Sequence, residues 1–157
     1  MDRQAREKLI ARYKDGCRAV AEALKGATEA ELDARPSPNK WSAREIVHHL
    51  ADSELVSAIR LRLLLAQDRP AIQAYDQEEL ARKLHYDRPV AASAEAFQAV
   101  RRATAEILER MTEAEWSREG VHPEHGRYTV ERWLEIYGNH AFNHADQITR
   151  ARAAAGR

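Results

Sequence analysis

The chain has 157 residues, with 25 basic and 25 acidic side chains and a formal net charge of zero. That length fits one domain over 1–157 that buries roughly 70% of its unfolded surface, and the balanced, interspersed charge leaves no footprint for nucleic acid or anionic membrane. The single cysteine, Cys17, excludes an intrachain disulfide and a four-cysteine metal site, so any metal ligands must come from His, Asp or Glu.

The opening "MDRQAREKLI" is charged from its second residue and lacks the apolar core of a signal peptide, and no later run reaches the ~20 apolar residues of a membrane span. A cytoplasmic protein is expected. Six glycines and five prolines stand against abundant Ala, Leu, Arg and Glu, which favours an all-α fold.

The first helix is predicted from about Gln4 to Lys25, where Leu9, Tyr13, Val20 and Leu24 recur at helical spacing before Gly26. "TEAE" at Thr28 to Glu31 has the form of a capping box for a very short helix, and the two prolines of "RPSPNKW" then redirect the chain. Ser42 and Glu45 make a second capping box. The helix it starts runs to about Gln67, with Ile46, Leu50, Val56, Ile59 and Leu63 on a broad apolar face.

Asp68, Arg69 and Pro70 stop that helix. "PAIQAYDQEELARKL" reads as a loop with a short helix capped by Asp76, an excursion of the kind that walls a site. A third long helix is predicted from about Ser93 to Met111, a short turn follows at Thr112 and Glu115, and "SREGVHPEHGRY" holds the main cluster of turn formers. Thr129 caps the last helix, which continues to about Ala154. Four long amphipathic helices predict a four-helix bundle, with long connections that permit crossovers in place of up-down-up-down order.

In the last helix, positions 133, 137, 140, 144 and 148 climb one face, so His140 and His144 point where Trp133 points. Residues four apart are separated by ~6 Å along the axis, and both imidazoles can reach one ion. An HxxxH pair alone is a weak signal, since satisfied core or surface histidines are commoner. His49 strengthens it by lying on the stripe with Ile46, Val56 and Leu63, while His48 is expected at a solvated edge. Three neutral imidazoles leave an open position for water, as in a catalytic metal site. The competing reading of His49 is a core histidine bonded to a carbonyl.

Asp52, three residues after His49, is a candidate orienter or general base, with pairing to Arg60 or Arg44 as the alternative. Glu54 is expected on a solvated face, and Tyr75 either closes over the site or packs on the end of the bundle. "HPEHG" at His122 to Gly126 reads as a turn with exposed histidines, and as a source of further ligands only secondarily. No glycine-rich phosphate loop and no nucleophile motif is present, and Cys17 reads as packing.

The stretches "KWSAREIVHHLADSELVSAIRLRLLLAQDRPAIQAYD" and "HPEHGRYTVERWLEIYGNHAFNHADQI" resemble the DinB/YfiT-like superfamily, in particular its YfiT-like metal-dependent hydrolases. The resemblance runs from about Trp41 to Ile148. It implies a four-helix bundle with crossover connections, often dimeric, binding one divalent ion, commonly zinc or nickel, through three histidines that fall here on His49, His140 and His144. It also implies that some relatives transfer low-molecular-weight thiols, so the expected activity is hydrolysis of a small-molecule substrate or thiol S-transfer. Phe142, Asn143, Gln147 and Glu54 depart from histidine-richer relatives. A non-catalytic binding bundle with a structural metal, or with none, is the alternative from another functional class.

Overall fold

A computed structural model describes residues 1–156. Four long helices, α1 (Arg3–Leu24), α3 (Ala43–Ala66), α5 (Ala91–Leu108) and α7 (Val130–Arg152), form the bundle. Three short helices and a hairpin fill the connections: α2 (Glu29–Asp33), α4 (Gln77–Lys83), α6 (Glu113–Trp116), β1 (Glu119–His122) and β2 (Gly126–Thr129). None of the described helices is long and apolar enough to cross a membrane.

The start signals read from the sequence operate as expected. Thr28 with Glu31, Ser42 with Glu45 and Thr112 with Glu115 form reciprocal capping boxes, while Asp76 and Thr129 accept from backbone amides of the first turns they precede; Asp2, not singled out in the sequence, caps α1 in the same way. Each cap satisfies amides that the helix itself leaves without partners.

Adjacent pairs in the bundle are α1 with α7, α7 with α3, α3 with α5, and α5 with α1. Cross-links give the directions. His48 to Ser93 and Arg62 to Thr104 show α3 and α5 running parallel, whereas Trp133 to Ser57 and the approach of His144 to His49 show α7 antiparallel to α3. Arg12 to Asn139 and Arg152 to Ala23 make α1 and α7 parallel. The order is therefore up-down-down-up. Parallel neighbours α3 and α5 require the segment 67–90 to run back along the bundle, which is why that connection is long and carries α4.

The core divides into two apolar clusters. One contains Tyr13, Leu61, Leu64, Leu108, Trp133 and Leu134; the other contains Val20, Ile46, Leu50, Phe97, Ala141 and Ile148. Between them lies a polar layer. Glu54 accepts from Arg101 Nη1 at 2.6 Å and from the Tyr13 hydroxyl, and Arg101 also donates to the backbone carbonyls of Tyr13 and Tyr137, both at 2.7 Å. Glu54 is wholly buried, which corrects the expectation of a solvated face. Arg101 sits in the stripe of Phe97 and Thr104, and its guanidinium supplies the counter-charge that makes a buried carboxylate tolerable.

The segment expected to be a turn is an antiparallel hairpin pairing Glu119 with Thr129 and His122 with Gly126. It is anchored by a bridge to the crossover, Val121 N–H to Pro70 O at 2.9 Å and Ile72 N–H to Val121 O at 2.8 Å. Gly120 is required there, because a Cβ would stand 2.5 Å from the Pro70 carbonyl oxygen.

Candidate metal centre

The antiparallel packing of α3 on α7 brings His49 to His140 and His144. Ring centroids are 5.4 Å apart for His49 and His140, 4.7 Å for His49 and His144, and 4.4 Å for His140 and His144. One nitrogen from each ring lies within 4.8 Å of the others. Spacing along α7 and the inward stripe of α3 produce this convergence without a loop, so rigid elements hold it.

The hydrogen bonding separates these rings from an ordinary core histidine. His48 is the satisfied one: it is buried, its Nδ1 lies 2.7 Å from Ser93 Oγ and its Nε2 lies 3.0 Å from the Arg88 carbonyl oxygen. The expectation that His48 turns to solvent is thereby corrected, since the loop after α4 returns to cover it. His49 has ring neighbours only, Trp41 at 4.9 Å and the two α7 histidines, with no hydrogen bond to any described residue. His140 Nδ1 is buried and without a partner.

Gln147 sets the tautomer of His144. Its Oε1 can only accept, so the contact at 2.9 Å places the proton on His144 Nδ1 and leaves Nε2 as a lone pair. That Nε2 faces His140 Nε2 at 3.1 Å. Two imidazole nitrogens bound at ~2.0–2.1 Å to a tetrahedral ion stand about 3.3 Å apart, so the pair is already spaced as ligands of one ion. Burial pushes the His49 imidazole down to about 3, helped by His144 nearby. It also lowers His140 and His144, with neighbouring histidines adding to the effect at His140 and the Gln147 hydrogen bond opposing it at His144. All three rings are thus held in the neutral form that metal ligation needs. The residues present fit a divalent ion.

Asp52 lies outside this group of ligand atoms. Its Oδ2 accepts from the Tyr86 hydroxyl at 2.6 Å, and it pairs with neither Arg44 nor Arg60. Tyr86 packs edge-on to Trp41, the ring that rests on His49, so Asp52 connects to the centre through two aromatic side chains. Tyr75 packs on Arg60 at 5.5 Å and is not among the walls of the cleft that contains His144.

The hairpin histidines form a second grouping with Glu124. His122 is buried, contrary to expectation, and stacks on exposed His125 at 4.6 Å. Its Nδ1 accepts from the Glu124 amide at 3.2 Å, which puts the proton of the neutral ring on Nε2, and the other two members of the grouping, Glu124 and His125, are exposed. This grouping is the poorer ligand set.

A cleft of about 540 Å³ opens beside the centre, walled by His144, Gln147, Trp41, Ile46, Gln77 and Glu78. Trp41 Nε1 donates to Glu78 at 3.3 Å, which ties α4 to the start of α3 and makes the crossover one side of the cleft. Trp41 stands at the start of the stretch that carries the family resemblance, but nothing in the sequence placed its ring against His49. Gln147 was visible as a residue three beyond His144, on the same helical face.

The model of the DinB superfamily matches residues 12–148. The chain is 30% identical over 119 residues, 76% of its own length and 69% of the relative's, to a protein of Oceanobacillus iheyensis named "Putative metal-dependent hydrolase". It is 27% identical over 151 residues to YfiT of Bacillus subtilis, which bears the same description, covering 95% of this chain and 85% of that one. The solved structure of YfiT, described as "a probable metal-dependent hydrolase with an unusual four-helix bundle topology", superimposes with a TM-score of 0.91 at 26% identity, over 99% of this chain and 90% of the other. By its matched residues, its fold and its crossover topology, this chain belongs to the DinB superfamily.

Proposed function

We propose that this protein is a metal-dependent hydrolase of small molecules, with His49, His140 and His144 holding one divalent ion. The observation that carries the reading is the convergence of three neutral imidazoles, one of them, His49, free of any hydrogen bond among the described residues. An all-imidazole set suits zinc or nickel and disfavours magnesium or calcium, which select oxygen ligands. When bound, such an ion lowers the pKa of water and polarises a substrate carbonyl.

The chain's own residues do the rest. His144 is held by Gln147 in the tautomer that presents Nε2, and Trp41 packs against His49 to limit its rotation. Ile46 and Trp41 supply apolar wall for the substrate, while Gln77 and Glu78 close the cleft from the crossover. A cleft of about 540 Å³ takes a drug-sized molecule and excludes a folded partner. Asp52 acts through Tyr86 as a positioning residue, stiffening the aromatic contact behind His49.

The test is turnover of a panel of small esters and amides by zinc-loaded, nickel-loaded and chelated protein. Hydrolysis that requires metal and no added thiol supports the reading. Turnover that appears only when a low-molecular-weight thiol is supplied assigns S-transfer in its place, and no metal-dependent turnover with either overturns catalysis.

A further inference from the structure

Four arginines are buried, and three of them have carboxylate partners: Arg6 with Glu113, Arg44 with Glu29 and Asp33, and Arg101 with Glu54. Arg60 is the exception. It is only 9% exposed, yet no carboxylate pairs with it among the described residues. Its Nη2 donates to the Gln73 carbonyl, its Nη1 reaches the Tyr137 hydroxyl at 3.5 Å, and its Nε has no partner. The ring of Tyr75 covers it, and the buried Tyr128 hydroxyl beside it also lacks a normal hydrogen bond.

A guanidinium stays protonated at any pH a protein tolerates, so this charge cannot be removed by titration. Burying it without an anion is unfavourable unless a ligand completes the pair. Arg60 lines a cavity of about 230 Å³ together with Tyr75, Gln77, His122 and Glu124. Gln77 also lines the larger cleft that contains His144, so the two spaces share a wall. Tyr137, whose hydroxyl meets Arg60, sets its ring against His140 at 5.6 Å. The unpaired cation therefore stands one aromatic ring away from the three histidines.

We propose that Arg60 anchors an oxyanion group of the substrate, a carboxylate or a phosphate, while the reacting end of that molecule extends past Gln77 to the histidine centre. The assignment of the second end rests on the function proposed above. A planar guanidinium fork matches either anion. Glu124 is the one acidic residue in this cavity wall; it is exposed and makes no ion pair with Arg60, so it competes weakly for the same position.

The experiment is a titration of the ¹⁵N-labelled full chain with sodium acetate, sodium phosphate or sodium chloride at constant ionic strength, following the Arg60 Nε–H resonance, assigned by its absence from Arg60→Lys. It is run on zinc-loaded wild type and on His140→Ala. A saturable shift with acetate or phosphate, absent with chloride and retained in His140→Ala, is expected, and the anion that saturates first names the group. Glu124→Gln should lower the concentration needed. If Arg60→Lys does not fold, a rise in wild-type melting temperature with acetate or phosphate over equal chloride, enlarged in Glu124→Gln, carries the same test. No saturable response to either anion overturns the anchor even if zinc is retained. Zinc absent from wild type with the anion response intact would instead count against the metal centre alone.

Discussion

Glu54 and Arg101 form an ion pair at 2.6 Å in which neither side chain is exposed at all. The pair sits in the layer that separates the two apolar clusters and joins α3 to α5, with Arg101 reaching on to α1 and α7 through carbonyls. Burial pushes the Glu54 carboxyl up, and the charge of Arg101 and the Tyr13 hydroxyl hold it back. Losing one partner leaves the other as an uncompensated buried group. Glu54→Leu and Arg101→Met should each cost about 3–5 kcal/mol, and the double variant should cost clearly less than their sum. Urea denaturation of the four proteins checks this; additive losses would mean that the two side chains act independently.

Protonation of the histidines should make the metal-free protein acid-sensitive in a defined window. His49 is held at about 3 in the folded chain, and His140 and His144 are also lowered, while an unfolded histidine titrates near 6.5. Between those values the unfolded state binds protons that the folded state does not. Stability is therefore complete above about pH 6.5 and falls as pH drops, by up to ~1.4 kcal/mol per pH unit for each fully titrating group. The carboxylates that arginine or capping contacts depress, such as Asp33 and Glu115, lose their contribution only at lower pH. Thermal unfolding of chelated protein at pH 7.5 and pH 5.0 should show the loss, and His49→Phe should reduce it. A flat profile over that range would contradict the burial assigned to these rings.

Gln147 is exposed and contributes little to packing, yet its carbonyl oxygen fixes the His144 tautomer. Gln147→Leu should weaken metal binding roughly 10- to 100-fold with folding stability almost unchanged. Gln147→Glu, which keeps an acceptor, should restore most of it. Competition with a chromophoric chelator measures both, and equal affinity in all three proteins would remove Gln147 from the centre.

The bundle was legible because its signals are local. Caps at Thr28, Ser42, Asp76, Thr112 and Thr129 and apolar stripes of helical period marked each helix to within a few residues. The convergence of His49, His140 and His144 was legible because two helix faces suffice to place them. What escaped depended on contacts between distant segments. His48 is buried by Arg88 and Ser93, some 40 residues on, and Glu54 is buried by Tyr13 and Arg101 from two other helices. The hairpin escaped for a related reason: its strands have four residues each and take their support from Pro70 and Ile72 of the crossover. Arg101 did carry a signal, a lone cation in the stripe of Phe97 and Thr104, which implies a buried counter-charge.

Whether the three histidines hold one ion is measured most directly by the metal content of the tag-free protein, determined by elemental analysis beside His49→Ala, His140→Ala and His144→Ala. Near-stoichiometric zinc or nickel in the wild type and its loss from every variant is the predicted result. Wild-type protein that remains metal-free after both ions are offered, or variants that retain the full complement, would contradict it.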